Sequence, residues 1–271
     1  MKLPYAEVIG DPISHSKSPI IHNFWLQLLG IEAEYRKTHV LPGDLAAYFL
    51  ARRADPDWLG CNVTIPHKIA VMDYASDPGG VGKTIGAINT IACETGGPLI
   101  GTNTDAGGFL APLLNMQWQG DHAVVIGSGG AARAIVYGLA QTGVKTITLM
   151  ARDAAKARDV LDRAGAVGDV ITMDSPLPAA DLLVNSSPLG MNGQLALEID
   201  LSPLPKRALV YDIVYAPLET PLLAQAKARG HSTIDGLEML IGQAALAFDI
   251  FFDAPAPRDE DSQLRALLEQ A

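Results

Sequence analysis

The sequence predicts an α/β protein: an N-terminal α/β domain, then a doubly wound domain on a parallel sheet, with a C-terminal helix returning to the first domain. Three observations predict it. In mid-chain the run His122–Ala123–Val124–Val125–Ile126 passes directly into Gly127–Ser128–Gly129–Gly130–Ala131–Ala132 and then into an amphipathic run from Ala134 to Ala140. That is the order of a buried strand, a tight turn and a helix. Downstream, short apolar runs alternate with helical patterns, and each crossover is long enough for parallel pairing. Upstream, roughly 120 residues alternate in the same way but carry a hairpin signal.

In chain order, Ala6–Ile9 reads as a strand. Pro19 to Leu29 reads as a helix with Ser18 as its cap, Pro19 in its first position and Gly30 ending it. Glu34 to Val40 is a second strand, Gly43 to Arg53 a second helix, Gly60 to Ile65 a third strand and Pro66 to Tyr74 a short helix. Ala87–Cys93 and Pro98–Asn103 form a hairpin through Glu94–Thr95–Gly96–Gly97. A helix over Gly108–Leu114 leads into the strand before the glycines. Strands at Thr146–Met150, Val170–Met173, Asp181–Asn185 and Ala208–Val214 then follow, with helices at Ala155–Ala164 and Pro221–Arg229. Leu237 to Phe252 is too apolar for a solvent-facing helix and is expected to be buried, and a short helix around Leu264–Leu268 ends the chain. The expected domains are 1–104, completed by 238–271, and 105–237.

The formal charge of −10 and pI near 5.0 exclude the basic face of a nucleic-acid binder. The N-terminus lacks the apolar stretch of a signal peptide, and no apolar run of about 18 residues is present to cross a membrane. Cys61 and Cys93 have no paired spacing, which fits a reducing compartment. The expectation is a cytoplasmic protein, monomer or homodimer, acting on a small molecule without nucleic-acid or membrane partners. The six histidines show no metal-ligand spacing, and no Gly-x-Ser-x-Gly elbow supports hydrolysis.

Chemistry concentrates in the glycine loop and three other clusters. At the loop, Gly127 allows the turn, Gly129 lets a pyrophosphate approach the backbone, and Ala132 takes the small third position. The helix N-terminus supplies N–H groups and the positive end of its dipole. This is the Rossmann-type arrangement. Ser14–His15–Ser16–Lys17–Ser18–Pro19 packs hydroxyls at a helix start; Ser18 suffices as a cap, so Ser14 and Ser16 either face a ligand or close a local turn. Asn62–Val63–Thr64–Ile65–Pro66–His67–Lys68 puts Asn62 and Thr64 on one side of a strand end. It also sets Lys68 in the first turn of a helix, where the dipole favours acids instead. The third cluster is Gly86–Ala87–Ile88–Asn89–Thr90 with Gly101–Thr102–Asn103–Thr104–Asp105–Ala106–Gly107–Gly108, in which Asp105 can cap the following helix.

Read together, these strings resemble the shikimate dehydrogenase family. So do Asn185–Ser186–Ser187–Pro188–Leu189–Gly190–Met191, Asp212–Ile213–Val214–Tyr215, and Asp235–Gly236–Leu237–Glu238–Met239–Leu240 with Gln243. The matches run in the family's order over essentially the whole chain. The resemblance implies NADPH-linked reduction of 3-dehydroshikimate to shikimate, with Lys68 and Asp105 as the catalytic pair. It places the substrate carboxylate at Ser14, Ser16 and Tyr215, and the ring hydroxyls at Thr64, Asn89, Asp105 and Gln243. It places NADP(H) at Gly127, Ser128, Gly129, Gly130, Ala131, Arg152, Lys156, Ser187, Ile213 and Gly236, with no metal. The physical reading agrees: hydride arriving at a carbonyl carbon leaves charge on oxygen, which an ammonium can relieve near neutral pH.

The family's usual Asn-Arg-Thr at the ribose-reading strand end is Ala151–Arg152–Asp153 here. Arg152 and Lys156 can jointly neutralise a 2′-phosphate and favour NADP. Asp153 is either an acid of the NAD-reading kind or the N-cap of the next helix. Two other readings remain at this point: a quinate/shikimate dehydrogenase using NAD, and a non-catalytic nucleotide-binding regulator.

Overall fold

The computed structural model describes residues 2–93 and 97–271 of the chain. They fall into two compact units, residues 1–104 with 243–271 and residues 105–242.

The first unit is built on a five-stranded sheet in the order β2-β1-β3-β4-β5. Strand β1 (Tyr5–Gly10) runs parallel to β2 (Glu34–His39) and to β3 (Trp58–Val63), and β4 (Thr90–Cys93) and β5 (Leu99–Thr102) add antiparallel. Of the expected turn Glu94–Thr95–Gly96–Gly97, residues 94–96 lie outside the described residues. Strand alternation divides β1 between two cores. Tyr5 and Ile9 face one with Phe49, Trp58 and Val71, while Ala6 and Val8 face another with Tyr35, Ala247 and Phe251. Glu7, on the Tyr5 face, is fully buried and accepts from Tyr48 Oη, Arg52 Nε and Thr38 Oγ1. A buried carboxylate persists only when its charge is met in this way.

Helix α1 (Ser18–Leu29) differs from expectation at its start: Lys17 is the N-cap position, and Ser18 is the first helical residue rather than the cap. The reason lies in the preceding turn, where Ser16 Oγ accepts from the Ser18 N–H at 3.4 Å. Helix α2 (Leu45–Arg53) follows a 3-10 turn at Pro42–Asp44. Pro66–Tyr74 does not form the expected α-helix but a set of turns and a 3-10 segment, Ala70–Asp73. The Lys68 carbonyl accepts from the Ile88 N–H at 2.8 Å, while the Met72 N–H turns to Ile69 O at 3.1 Å, so the α-helical ladder does not run through Lys68. The unfavourable-dipole argument for Lys68 therefore falls. Helix α3 (Val81–Ile85), five residues long, has no periodic signal in the sequence.

The second unit opens with α4 (Asp105–Asn115), which begins at Asp105 rather than Gly108. Its sheet has six strands, all parallel: β6 (His122–Ile126), β7 (Thr146–Met150), β8 (Val170–Ile171), β9 (Leu182–Asn185), β10 (Leu209–Asp212) and β11 (Ser232–Ile234). The order β11-β10-β9-β6-β7-β8 reverses direction between β6 and β9. Helices α5 (Gly130–Ala140), α6 (Ala154–Ala164) and α7 (Pro221–Ala228) connect them. Successive residues of β6 enter opposite cores, Ala123 and Val125 on one face, Val124 and Ile126 on the other. Both faces are thus covered, as a parallel sheet requires. The sheet is doubly wound.

Helix α8 (Gly236–Phe252) is shared between the units, the division falling after Gly242 rather than before residue 238. Met239 belongs to the second unit's core, and a Cβ on Gly242 would stand 2.9 Å from the Gly108 carbonyl oxygen. Helix α8 thus approaches α4 closely at Gly108, backbone against backbone. Nor is α8 buried all round: Leu237, Ile241, Ala244, Phe248 and Phe251 are buried, whereas Leu246 and Ile250 are exposed. Helix α9 (Asp261–Gln270) closes the chain, its Leu268 carbonyl accepting from Lys17 Nζ. Among the described residues no helix is long and apolar enough to cross a membrane.

Candidate functional site

In the first unit, the segments expected to carry chemistry meet at the C-terminal ends of β1 and β3. The Asp11 N–H donates to Ile65 O at 3.0 Å, and the Thr64 N–H donates to Ile9 O at 2.9 Å. A Cβ on Gly10 would overlap Thr64 Cγ2 at 2.5 Å. The loop bearing Ser14 and Ser16 is thereby fastened to the turn bearing Thr64 and Lys68. That turn is tied in turn to the Asn89 segment, through Ile88 N to Lys68 O and Val63 N to Asn89 O at 2.7 Å. Ser14 is exposed, Ser16, Thr64 and Lys68 are half-buried, and Asn89 is buried. His67 acts structurally, with Nε2 at 2.7 Å from Val40 O, and so holds the turn against the end of β2.

Asn89 stands in a buried side-chain network. Its Oδ1 accepts from the Thr104 N–H at 2.7 Å and from Thr90 Oγ1 at 3.0 Å, and its Nδ2 donates to Thr104 Oγ1 at 3.0 Å. Asn62, in register with Thr90 across β3 and β4, donates from Nδ2 to Thr90 Oγ1 at 3.0 Å. Tyr35 Oη donates to Asn62 Oδ1 at 2.6 Å. Sequence reasoning placed Asn62 and Thr90 in clusters but missed Tyr35, because a tyrosine among strand residues reads as core. Gln243 lies on α8 and is buried.

In the second unit the predicted residues gather at the C-terminal ends of β6, β9 and β10, beside the point where strand order reverses. Open α/β sheets bind ligands there. Gly127 has φ +112°, and a Cβ on it would stand 2.8 Å from Ser186 Oγ. Ser186 in turn donates to Ile126 O through both its N–H and its Oγ. Ser187 is fixed by its neighbour, its N–H and Oγ both donating to Asn185 Oδ1. Asn185 Nδ2 reaches Asp212 Oδ1 at 2.9 Å, and Asp212 also accepts from Thr220 Oγ1 at 2.7 Å and the Val214 N–H at 3.1 Å. Burial pushes the Asp212 carboxyl up to about 6, against the pull of these donors. Gly236 abuts the same strand end: a Cβ there would meet Ile213 O at 2.4 Å. Gly127, Ser187, Ile213 and Gly236 are thus brought together. Tyr215 is half-buried beyond the end of β10, and burial raises its phenol.

The entrance to α5 suits an anion. Gly129 is the N-cap, no side chain caps the helix, and its first turn, with Gly130 and Ala131, carries no acid. A Cβ on Gly129 would meet nothing within 4 Å, so a phosphate can approach the backbone there. Ser128 and Ala131 are half-buried alongside. Arg152 and Lys156 are exposed at the start of α6, where Asp153 is the N-cap and accepts from the Lys156 N–H at 3.0 Å. The donor set fits a dinucleotide carrying an extra phosphate. Asp105 is the first residue of α4 and is buried.

Fold and donors together define a nucleotide-binding α/β protein with a separate polar unit. Comparison with known proteins narrows this. Residues 8–91 match the shikimate dehydrogenase substrate binding domain, and residues 236–261 the shikimate 5'-dehydrogenase C-terminal domain. A Sphingopyxis alaskensis protein named shikimate dehydrogenase (NADP(+)) is 57% identical over 265 residues, covering 98% of this chain and 97% of its own. The Thermus thermophilus shikimate 5-dehydrogenase, solved with NADP(H) and shikimate, is 30% identical with a TM-score of 0.86, covering 98% of this chain and 100% of that one. Quinate dehydrogenase from Corynebacterium glutamicum, solved with NAD, is 27% identical with a TM-score of 0.88, over 98% of this chain and 99% of that one. The chain belongs to the shikimate dehydrogenase family.

Proposed function

We propose that this protein catalyses the reversible, NADPH-dependent reduction of 3-dehydroshikimate to shikimate, a step of aromatic amino-acid biosynthesis. The observation that carries the reading is the 57% identity, end to end, with a relative named for that reaction and cofactor. The side chains described above support it in detail. NADPH, when bound, supplies the hydride. Gly127, Ser128, Gly129, Gly130 and Ala131 hold its pyrophosphate by backbone and dipole. Arg152 and Lys156 hold the 2′-phosphate, and Ser187, Ile213 and Gly236 line the nicotinamide end.

Ser14, Ser16 and Tyr215 receive the substrate carboxylate, and Thr64, Asn89 and Gln243 the ring hydroxyls. Lys68 gives a proton to the carbonyl oxygen as charge develops there, and takes it back in the reverse direction. Asp105 is the second member of the catalytic pair and accepts from a ring hydroxyl. Most of these substrate residues lie in residues 1–104 with the C-terminal segment, Asp105 and Tyr215 lie in the second unit, and the cofactor residues all lie in the second unit. The protein acts in the cytoplasm, as monomer or homodimer, where a reducing milieu keeps Cys61 and Cys93 as thiols.

The NAD-using alternative is weakened, since Asp153 serves as the helix cap through Oδ1. A spectrophotometric assay pairing shikimate and quinate with NADP and NAD tests the reading. Shikimate with NADP is expected to exceed every other pairing in kcat/KM by about tenfold or more. Faster turnover of quinate with NAD would overturn it, and no turnover with any pair would favour a regulator.

A further inference from the structure

We infer that Tyr35 is a positioning residue for the substrate-reading amide of Asn89, acting through Asn62 and Thr90. This rests on the reading of Asn89 as a substrate contact and adds what steadies its amide from behind.

One buried chain of hydrogen bonds links the two residues. Burial holds the Tyr35 phenol well above its ordinary value, so the hydroxyl keeps its proton and acts as a donor. Asn62 meets it with Oδ1 at 2.6 Å, which turns Nδ2 the other way, 3.0 Å from Thr90 Oγ1 and 3.3 Å from Asn89 O. A flipped Asn62 would press its oxygen against the Asn89 carbonyl, acceptor against acceptor. Thr90 Oγ1, already receiving from Asn62, has its own proton to give and gives it to Asn89 Oδ1 at 3.0 Å. The Thr104 N–H adds a second donor to that oxygen at 2.7 Å. Thr104 Oγ1 lies 3.2 Å from the same oxygen and 3.0 Å from Nδ2, from which it accepts. The sense of the bonds thus agrees from Tyr35 to Asn89, with the Asn89 carbonyl and the Thr104 N–H as fixed backbone points and the tyrosine hydroxyl as the outer donor.

Tyr35 is itself held as such a post must be. Asn23 grips its backbone at both groups, accepting from the N–H and donating to the carbonyl, each at 2.9 Å. Its ring stacks on His22 with centroids 3.9 Å apart and planes 4° from parallel. The residue opposite it on β1 is Ala6, small enough to let the phenol cross from β2 toward β3.

Tyr35→Phe removes one oxygen and keeps the ring. It is expected to raise KM for shikimate about fivefold while kcat and the KM for NADP stay within about twofold, with Tm lowered by several degrees because Asn62 Oδ1 loses its buried donor. Thr90→Val, isosteric and further along the chain, should give the same split and carries the test if Tyr35→Phe fails to fold. A packing role alone would not produce coupling, so the deciding measurement is Tyr35→Phe in an Asn89→Ala background. There its effect on shikimate KM should largely vanish. An undiminished effect in that background, or an unchanged shikimate KM in Tyr35→Phe beside a raised one in Asn89→Ala, overturns the relay. An unchanged KM in Asn89→Ala itself removes the substrate contact and the inference with it.

Discussion

The two sheets finish their functional ends in different materials. At the ends of β1 and β3 the surface is made of side chains, Ser14, Ser16, Thr64, Lys68 and Asn89, and the last is oriented by other side chains behind it. At the ends of β6, β9 and β10 the surface is largely backbone, with Gly127 and Gly236 placed where a Cβ would collide. There the polar side chains, Asn185, Asp212 and Thr220, are buried and serve to hold loops. Under the proposed function, the difference follows from what each end reads. A ring of hydroxyls is distinguished by direction, which needs amides and hydroxyls of fixed sense. A diphosphate is distinguished by charge and close approach, which backbone N–H groups and a helix dipole supply.

The sharpest way to break this comparison is at Lys68. If the first unit does chemistry as well as recognition, Lys68→Ala lowers kcat by about 10³-fold and leaves the shikimate KM within a small factor. A loss confined to KM would reduce Lys68 to one more recognition group. At the other end, Arg152→Gln tests whether charge is what the second unit reads. The KM for NADP should rise by roughly 10- to 100-fold, as for loss of a charge-assisted bond, with the weak NAD reaction unchanged. Equal losses with both cofactors would mean Arg152 shapes α6 rather than reading phosphate.

The second unit was more legible in the sequence than the first for a related reason. Strands buried on both faces read as apolar runs, and a backbone-built site announces itself by glycines. The glycine at 108 misled, since it sits where α8 approaches, with a Cβ on Gly242 only 2.9 Å from its carbonyl oxygen, and does not break the helix. In the first unit the polar clusters were legible as strings, and the structure fastens them to one another by backbone bonds. What was hidden was the turn at Lys68, set by a bond to Ile88 some twenty residues away in sequence. Tyr35 was hidden too, because nothing local distinguishes a tyrosine that packs from one that also donates. Long-range hydrogen bonds leave no periodicity.

The smallest effect concerns the support behind that tyrosine. His22 is fully buried between Tyr35 and Phe248, and neither ring nitrogen has a hydrogen-bond partner among the described residues. Burial pushes it down from 6.5 to about 3. A base whose pKa is lowered by folding takes up its proton first in the unfolded chain. Its contribution is therefore complete above 6.5 and is lost as pH falls toward 3. Between 6.5 and about pH 5 the loss amounts to about 2 kcal/mol. His22→Phe keeps the stack and removes the titration. Urea unfolding at about pH 8 and about pH 5 should show the variant gaining about 2 kcal/mol on wild type between the two. Asp212, raised to about 6, works in the opposite sense over the same window, and it cancels because both proteins carry it. Asp55, Asp159 and Asp181 are held below their ordinary 3.8, so their losses begin only at more acidic pH. A gap that does not change with pH would show that His22 takes up its proton without leaving the stack, and the post behind Tyr35 would then be softer than its packing implies.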